Sequence, residues 1–198
     1  MSTVWFTADL HLGHATVAAL RGFDNTDDHD TVTMSNLRTM TRPGDTVWIL
    51  GDISSGGSTG QRAALDKLAT LRDEGRTLHL IAGNHDGIHP LHRNAHKWDA
   101  AYRSVFASVQ PFARRRINGA NVWLSHFPWR GGGDHTERER YETVRLNDDG
   151  VSWLLHGHTH STVGVDAGRR MIQAGVDAWG MKPVSMGSLV DLMLRLSP

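Results

Sequence analysis

Short apolar runs recur along the chain, and most break into polar residues of one kind. Val4-Trp5-Phe6-Thr7-Ala8 runs into Asp9-Leu10-His11, and Thr46-Val47-Trp48-Ile49-Leu50 into Gly51-Asp52. Leu78-His79-Leu80-Ile81-Ala82 ends in Gly83-Asn84-His85-Asp86, and Asn121-Val122-Trp123-Leu124-Ser125 ends in His126. Val151-Ser152-Trp153-Leu154-Leu155 leads to His156-Gly157-His158-Thr159-His160. Each run is short, rich in β-branched or aromatic residues, and bounded by Gly, Asx or His, the pattern of a buried strand. Helical spacing lies between some of them. Met34, Leu37 and Met40 recur every three residues before Pro43-Gly44 stops the segment. Ala64, Leu65, Leu68 and Leu71 do the same before Gly75. Strand and helix alternate through the first half, which argues for α/β layers.

The second half reads as richer in strand. Val105 to Val109, Phe112 to Ile117, Val122 to Leu124, Trp153 to Leu155 and Met171 to Ala174 are expected strands, and Leu189 to Leu196 an expected helix. Residues 130–150 are Gly-rich, then charged, and poor in apolar side chains. They read as a surface excursion that either overhangs His126 or is a plain solvated loop. No repeat or long linker divides the chain, so residues 1–198 are read as one domain.

Composition narrows the chemistry. The chain has no cysteine, which excludes disulfides, thiolate zinc sites and cysteine nucleophiles. No apolar run approaches the roughly 20 residues of a membrane helix, and no signal peptide is visible, so a cytosolic protein without membrane partners is expected. Lys plus Arg equals Asp plus Glu, which argues against capture of long nucleic acid. Histidine is the anomaly: there are 13, against 2 tyrosines. Imidazole is the commonest metal ligand and the usual acid or base near neutral pH.

The strand ends place those histidines. In open α/β sheets, ligand sites lie at the carboxyl ends of the strands. Here five ends deliver Asp9 and His11, Asp52, Asn84 and His85, His126, and His158 and His160. Leaving His85 aside, these are two carboxylates, one amide and four imidazoles, a set suited to first-row divalent metals. The set is too large for one tetrahedral ion and suits two ions if one carboxylate bridges.

The order D-x-H, G-D, G-N-H-D, a later His and G-H-x-H resembles the calcineurin-like metallophosphoesterases. The resemblance runs from Asp9 to His160. The opening D-x-H-x-G-H and the tail Gly175 to Ser185 look closest to small bacterial and phage members. It implies a four-layer α/β/β/α sandwich with a dinuclear site at one end of two sheets. Asp9, His11, Asp52 and His160 would hold one ion, and Asp52, Asn84, His126 and His158 the other, with Asp52 bridging. The cofactors implied are two divalent transition-metal ions, manganese first, with iron, zinc, cobalt or nickel as alternatives.

Such a site would attract a phosphate anion and lower the pKa of bound water toward about 7, for in-line attack by a bridging hydroxide. His85 would assist the leaving oxygen, and Asp86 would orient the His85 ring or stabilise its protonated form. His14, Trp129 and Arg130 are candidates to meet substrate, each with packing or solvation as the plain alternative. Arg114-Arg115-Arg116 on a strand alternates faces and makes no single basic patch. Asp177 and Lys182 read as a structural pair, and His89, His92 and His96 as surface residues. The expected activity is a phosphodiesterase on small, nucleotide-type phosphoesters, with cyclic nucleotides among the candidates. A phosphomonoesterase, a nuclease subunit and a non-catalytic metal-binding module are the rivals. Substrate choice would lie in the loops at 14–30, 87–100 and 127–150.

Overall fold

The computed structural model describes residues 2–196. The first sheet runs β10-β1-β2-β3-β4, made of β1 (Val4–Thr7), β2 (Thr46–Ile49), β3 (Thr77–Ile81), β4 (Ser108–Gln110) and β10 (Val184–Ser185). β1 to β4 are parallel because each connection carries helix. These helices are α1 (Ala15–Leu20), α2 (Thr26–Met40), α3 (Ser58–Asp73) and α4 (Asp99–Arg103). Asn25 starts α2 by accepting the Asp28 amide N–H on its side chain at 2.9 Å.

The second sheet runs β5-β6-β7-β9-β8. Its strands are β5 (Phe112–Ile117), β6 (Ala120–Ser125), β7 (Trp153–His156), β8 (Val165–Asp166) and β9 (Met171–Gln173). β5 and β6 form a hairpin through Asn118-Gly119, both at positive φ, as the tight twisted turn requires. α5 (Met186–Leu196) follows β10. Among the described residues, no helix is long and apolar enough to cross a membrane.

Alternation along the strands explains the layering. Val47 and Ile49 face α2 and α3, where they pack with Leu37, Leu65, Leu68 and Leu71. Their neighbours Trp48 and Leu50 turn the other way and meet Val122, Leu124 and Leu155 between the two sheets. A strand apolar on both faces is the mark of a covered parallel sheet. Each such side chain contributes roughly 1.5–3 kcal/mol by its burial. The chain thus forms the α/β sandwich expected of the family type. On the outer face of the second sheet, Leu154 and Met171 are covered by Trp129 and Leu146, from the excursion after His126.

Most expected elements are present, including the C-terminal helix. The strand expected over Val105 to Val109 begins later, at Ser108. Val105 and Phe106 instead leave α4 in a turn and bury their side chains in the helix-side core. The three arginines of β5 alternate, with Arg115 over the Trp48 ring and Arg114 over Trp123.

Candidate metal centre

The two sheets are stitched at one end, where Ala8 bridges to Gly175. There the loops after β1, β2, β6 and β7 run side by side: Asp9 N–H donates to Gly51 O, His11 N–H to Asp52 O, and Gly157 N–H to His126 O. To turn the side chains inward, the backbone enters the left-handed region at Asp9, His11, Asp52, His158 and His160, with φ between 47° and 72°. Each such residue costs on the order of 1–3 kcal/mol and persists only where its surroundings enforce it.

Two glycines make this crowding possible. A Cβ on Gly51 would lie 2.4 Å from His126 Nδ1, and one on Gly83 would lie 2.3 Å from Asp52 Oδ1. Gly51 also sits at φ +91°. Gly51→Ala is therefore expected to cost on the order of 2–4 kcal/mol and to impair metal uptake. Gly150→Ala, at φ +73° but with open space around it, is the control and should cost about 1 kcal/mol. Thermal unfolding and metal stoichiometry measure both. Equal effects would mean that crowding at Gly51 is unimportant.

The inward side chains form two clusters at the strand ends whose donor atoms could hold a metal ion, Asp9, His11 and His160, and Asp52, His126 and His158, and a third group, Asp134, His135 and His158, adjoins the second. In the first, His11 Nε2 and His160 Nε2 lie 3.1 Å apart. In the second, His126 Nε2 lies 3.1 Å from Asn84 Oδ1 and 3.3 Å from Asp52 Oδ2. Asp52 Oδ2 is also 3.8 Å from His11 Nε2, so this carboxylate stands between the clusters. Asp9, Asp52, His11, His126 and His158 are buried. Buried nitrogens that face one another, with carboxylates among them, suit a cation better than any neutral filling. The chain thus brings together all seven residues singled out at the strand ends.

Electrostatics follow from burial. It raises the Asp9 pKa above the ordinary carboxylate range. It would raise Asp52 too, but the His126 charge and hydrogen bond, then His11 and His85, hold Asp52 below that range. Burial would lower His126, yet Asp52 and Asp9 carry it up to about 9. A divalent ion and that proton would compete for the same Nε2.

Ring orientations are fixed from behind. His126 Nδ1–H donates to the Leu50 carbonyl at 2.8 Å, and His160 Nδ1 meets Asp177 at 3.2 Å. Asp177 is held in turn by Arg21, whose Nε and Nη2 donate to its two oxygens at 2.8 and 2.7 Å. Arg21 Nη2 also donates to the Asp9 carbonyl. His158 Nε2–H donates to Asp134 at 3.0 Å, leaving Nδ1 as its free donor atom. Burial and the His126 charge push His158 down to about 3, so a neutral imidazole meets this carboxylate.

Asp134 and Arg21 were not among the candidates drawn from the sequence, and Asp177 was singled out only in a structural pair with Lys182. Asp177 pairs with Arg21 and His160, not with Lys182. Arg145, Arg140 and His158 converge on Asp134, so residues 130–150 do lie over the site. The available signal was a single carboxylate after three glycines, followed by several arginines.

The other candidates divide. His85 is partly exposed, with Nε2 4.0 Å from Asp52 Oδ2 and Nδ1–H toward the Ser55 carbonyl at 3.3 Å. The His14 ring lies 5.3 Å from that of His11 and 6.0 Å from that of His85, in the same cleft of about 500 Å³. Asp86 does not orient the His85 ring. It is buried and accepts the amide N–H groups of Gly83, Asp52 and Ile53 at 2.7, 2.9 and 3.1 Å, tying two site loops together. Burial, then the Asp52 charge, raise its pKa to about 7.

Trp129 and Arg130 do not line the cleft. Trp129 is buried and donates its indole N–H to Arg169 O, and Arg130 donates to Glu142 O within its own segment. His89 is buried rather than a surface residue, and accepts the Leu91 N–H. His92 and His96 are exposed as expected, and His92 contacts the Asn84 carbonyl at 2.9 Å.

Comparison with known proteins agrees with this geometry. Residues 2–162 match the family model of the calcineurin-like phosphoesterases. The gene 66 protein of Mycobacterium phage L5 is 42% identical over 98% of this chain and 95% of its own length. The gene 66 protein of Mycobacterium phage D29 is 44% identical over 90% of each. An uncharacterised protein of Methanocaldococcus jannaschii is 24% identical over 98% of the chain and 92% of its own. The crystal structure of a protein of unknown function from Aquifex aeolicus shares the fold, with a TM-score of 0.71 at 22% identity, covering 97% of this chain and 100% of that one.

Proposed function

The chain belongs to the calcineurin-like phosphoesterase family, and from that premise we propose that it hydrolyses phosphodiester bonds in small nucleotide-type substrates with two divalent transition-metal ions. One observation carries the reading: the Asp52 carboxylate stands between two donor clusters and lines a cleft that also holds His85 and His14. In this reading Asp9, His11, Asp52 and His160 hold one ion, and Asp52, Asn84, His126 and His158 the other. Manganese is the first choice, and iron, zinc, cobalt and nickel suit the same donors. When bound, such ions neutralise phosphoryl charge and make a water acidic enough to attack near neutral pH.

The side chains of this protein supply the rest. His85 carries its Nδ1–H toward the Ser55 carbonyl, so its Nε2 faces the cleft, and it is the imidazolium form, with hydrogen on both nitrogens, that gives its Nε2 proton to the leaving oxygen and returns to the neutral ring. The His85 amide N–H donates to Asp52 Oδ1 at 2.8 Å, which fixes the ring's backbone to the carboxylate at the centre. Asp86 acts as a positioning residue by holding the Gly83 and Asp52 loops in register. His14 stands beside His85 as a substrate contact.

The test is turnover by metal-stripped protein with manganese restored. Bis-p-nitrophenyl phosphate is compared with p-nitrophenyl phosphate, then 2′,3′- with 3′,5′-cyclic nucleotides. Diester turnover should exceed monoester turnover; the reverse order would make the protein a phosphomonoesterase with the same site. His85→Ala should keep its metals and lose about 10²–10⁴-fold in rate on esters with poor leaving groups, and much less on nitrophenyl esters. Equal losses on both would remove His85 from the proton transfer.

A further inference from the structure

A second pocket, of about 470 Å³, opens on the other side of His85. His85 lines both this pocket and the cleft that holds His11, Asp52 and His160, so the two meet at that ring. The groups that face the second pocket are neutral or basic, and the amides of Asn84 and Asn94 are among them. Ser55, Gly57, His92, Arg93 and Trp98 line it beside His85, and no carboxylate does. Arg93 is exposed and has no hydrogen-bond or ion-pair partner among the described residues. Gly57, in the wall, caps the start of α3, a helix of 16 residues with no side-chain cap and no acidic residue in its first turn. The positive end of that helix dipole adds to the charge supplied by Arg93.

The pocket is built, not a gap between loose loops. The Gln61 side chain donates to Gly57 O at 3.1 Å, while its oxygen accepts Gly87 N–H at 2.6 Å and the Tyr102 hydroxyl at 2.7 Å. That one buried amide joins the start of α3 to the loop after His85. His92 closes the same loop on the Asn84 carbonyl. A rigid, carboxylate-free pocket with an unpaired guanidinium, set beside the residue that faces the leaving oxygen, suits an anion carried by the leaving group.

We propose that this pocket is a subsite for a second phosphate group on the leaving-group side of the substrate, with Arg93 as its specificity-determining residue. The proposal rests on the phosphodiesterase reading above and narrows its substrate class to diesters that bear a further phosphate, such as terminally phosphorylated short oligonucleotides. The indole of Trp98, with the Arg62 guanidinium over its ring, supplies an apolar part of the lining for the group that joins the two phosphates.

The test uses the manganese-loaded protein and three dinucleotides: one without a terminal phosphate, one with it at the 5′ end and one with it at the 3′ end. Steady-state kinetics give KM and kcat, and calorimetry gives affinity whether or not cleavage occurs. One of the phosphorylated dinucleotides should bind about tenfold more tightly than the plain one, through KM and not kcat. Arg93→Ala should abolish that preference, and Arg93→Glu should invert it. Equal affinities for the three in the unmodified protein, or a preference that survives Arg93→Glu, would overturn the subsite. Cleavage failing for all three while the Arg93-dependent binding preference stands would overturn the phosphodiesterase reading and leave the phosphate subsite in place.

Discussion

Asp52→Ala should lose turnover by at least about a thousandfold at saturating manganese, on the order of 4 kcal/mol of transition-state stabilisation. It should also bind fewer than two ions. The effect is large because this carboxylate meets three demands at once. Its Oδ2 faces His126 at 3.3 Å, His11 at 3.8 Å and His85 at 4.0 Å, while Oδ1 accepts the His85 amide N–H. Removing it leaves the two donor clusters without their shared anion. It also frees the His85 backbone from the centre. Asp52→Asn separates these losses, since the amide keeps an oxygen for His85 N–H but carries no charge. Both variants should be inactive if the shared charge is what matters. Turnover by Asp52→Asn within tenfold of the unmodified protein would show that Asp52 serves the loop and not the ions. Kinetics across a manganese titration, with stoichiometry from calorimetry, distinguish these outcomes.

The residues that make this prediction possible were legible because each ends a strand. A run such as Thr46 to Leu50 announces its own end by changing from apolar residues to Gly51-Asp52, and the sheet carries that end to a common edge. Their partners gave no such signal. Asp134 and His158 are 24 residues apart, and Arg21 and Asp177 are 156 apart. Neither Asp134 nor Arg21 stands at a strand end or in a periodic pattern. The left-handed backbone at Asp9, His11 and Asp52 was equally silent, because it follows from crowding between loops of different strands. Trp129 shows the opposite case. A large aromatic near His126 was a candidate to meet substrate with packing as its alternative, and what decided for packing was the outer face of Leu154 and Met171, which it covers. Asp86 lies between two of the site loops, and its geometry gives it three amides to hold and no ring to orient.

The other large effect is expected at Asp134, whose role comes only from the fold. Its side chain has no exposed surface and accepts hydrogen bonds from His158 at 3.0 Å, Arg145 at 2.8 Å and Arg140 at 3.1 Å. Burial would raise its pKa, but the hydrogen bond from His158, then those from Arg140, hold it below the ordinary carboxylate range. It therefore stays ionised, the state in which a carboxylate best holds an imidazole N–H and turns the other nitrogen toward a metal. Arg145 spreads the same anchor through the segment by donating to Gly133 O, Arg140 O and Glu139. Asp134→Ala should weaken manganese binding by about 10–100-fold, as the loss of such a carboxylate behind a ligating histidine does elsewhere. It should also free residues 134–145 to proteolysis, because Arg145 and His158 lose their common acceptor. Asp134→Asn keeps an oxygen for His158 and should recover much of the metal affinity, though not the hold on Arg145. Calorimetry on the metal-stripped variants and limited proteolysis read these two effects independently. Unchanged affinity in Asp134→Ala, with the segment newly cleavable, would confine Asp134 to fastening the loop and leave His158 oriented by its backbone alone.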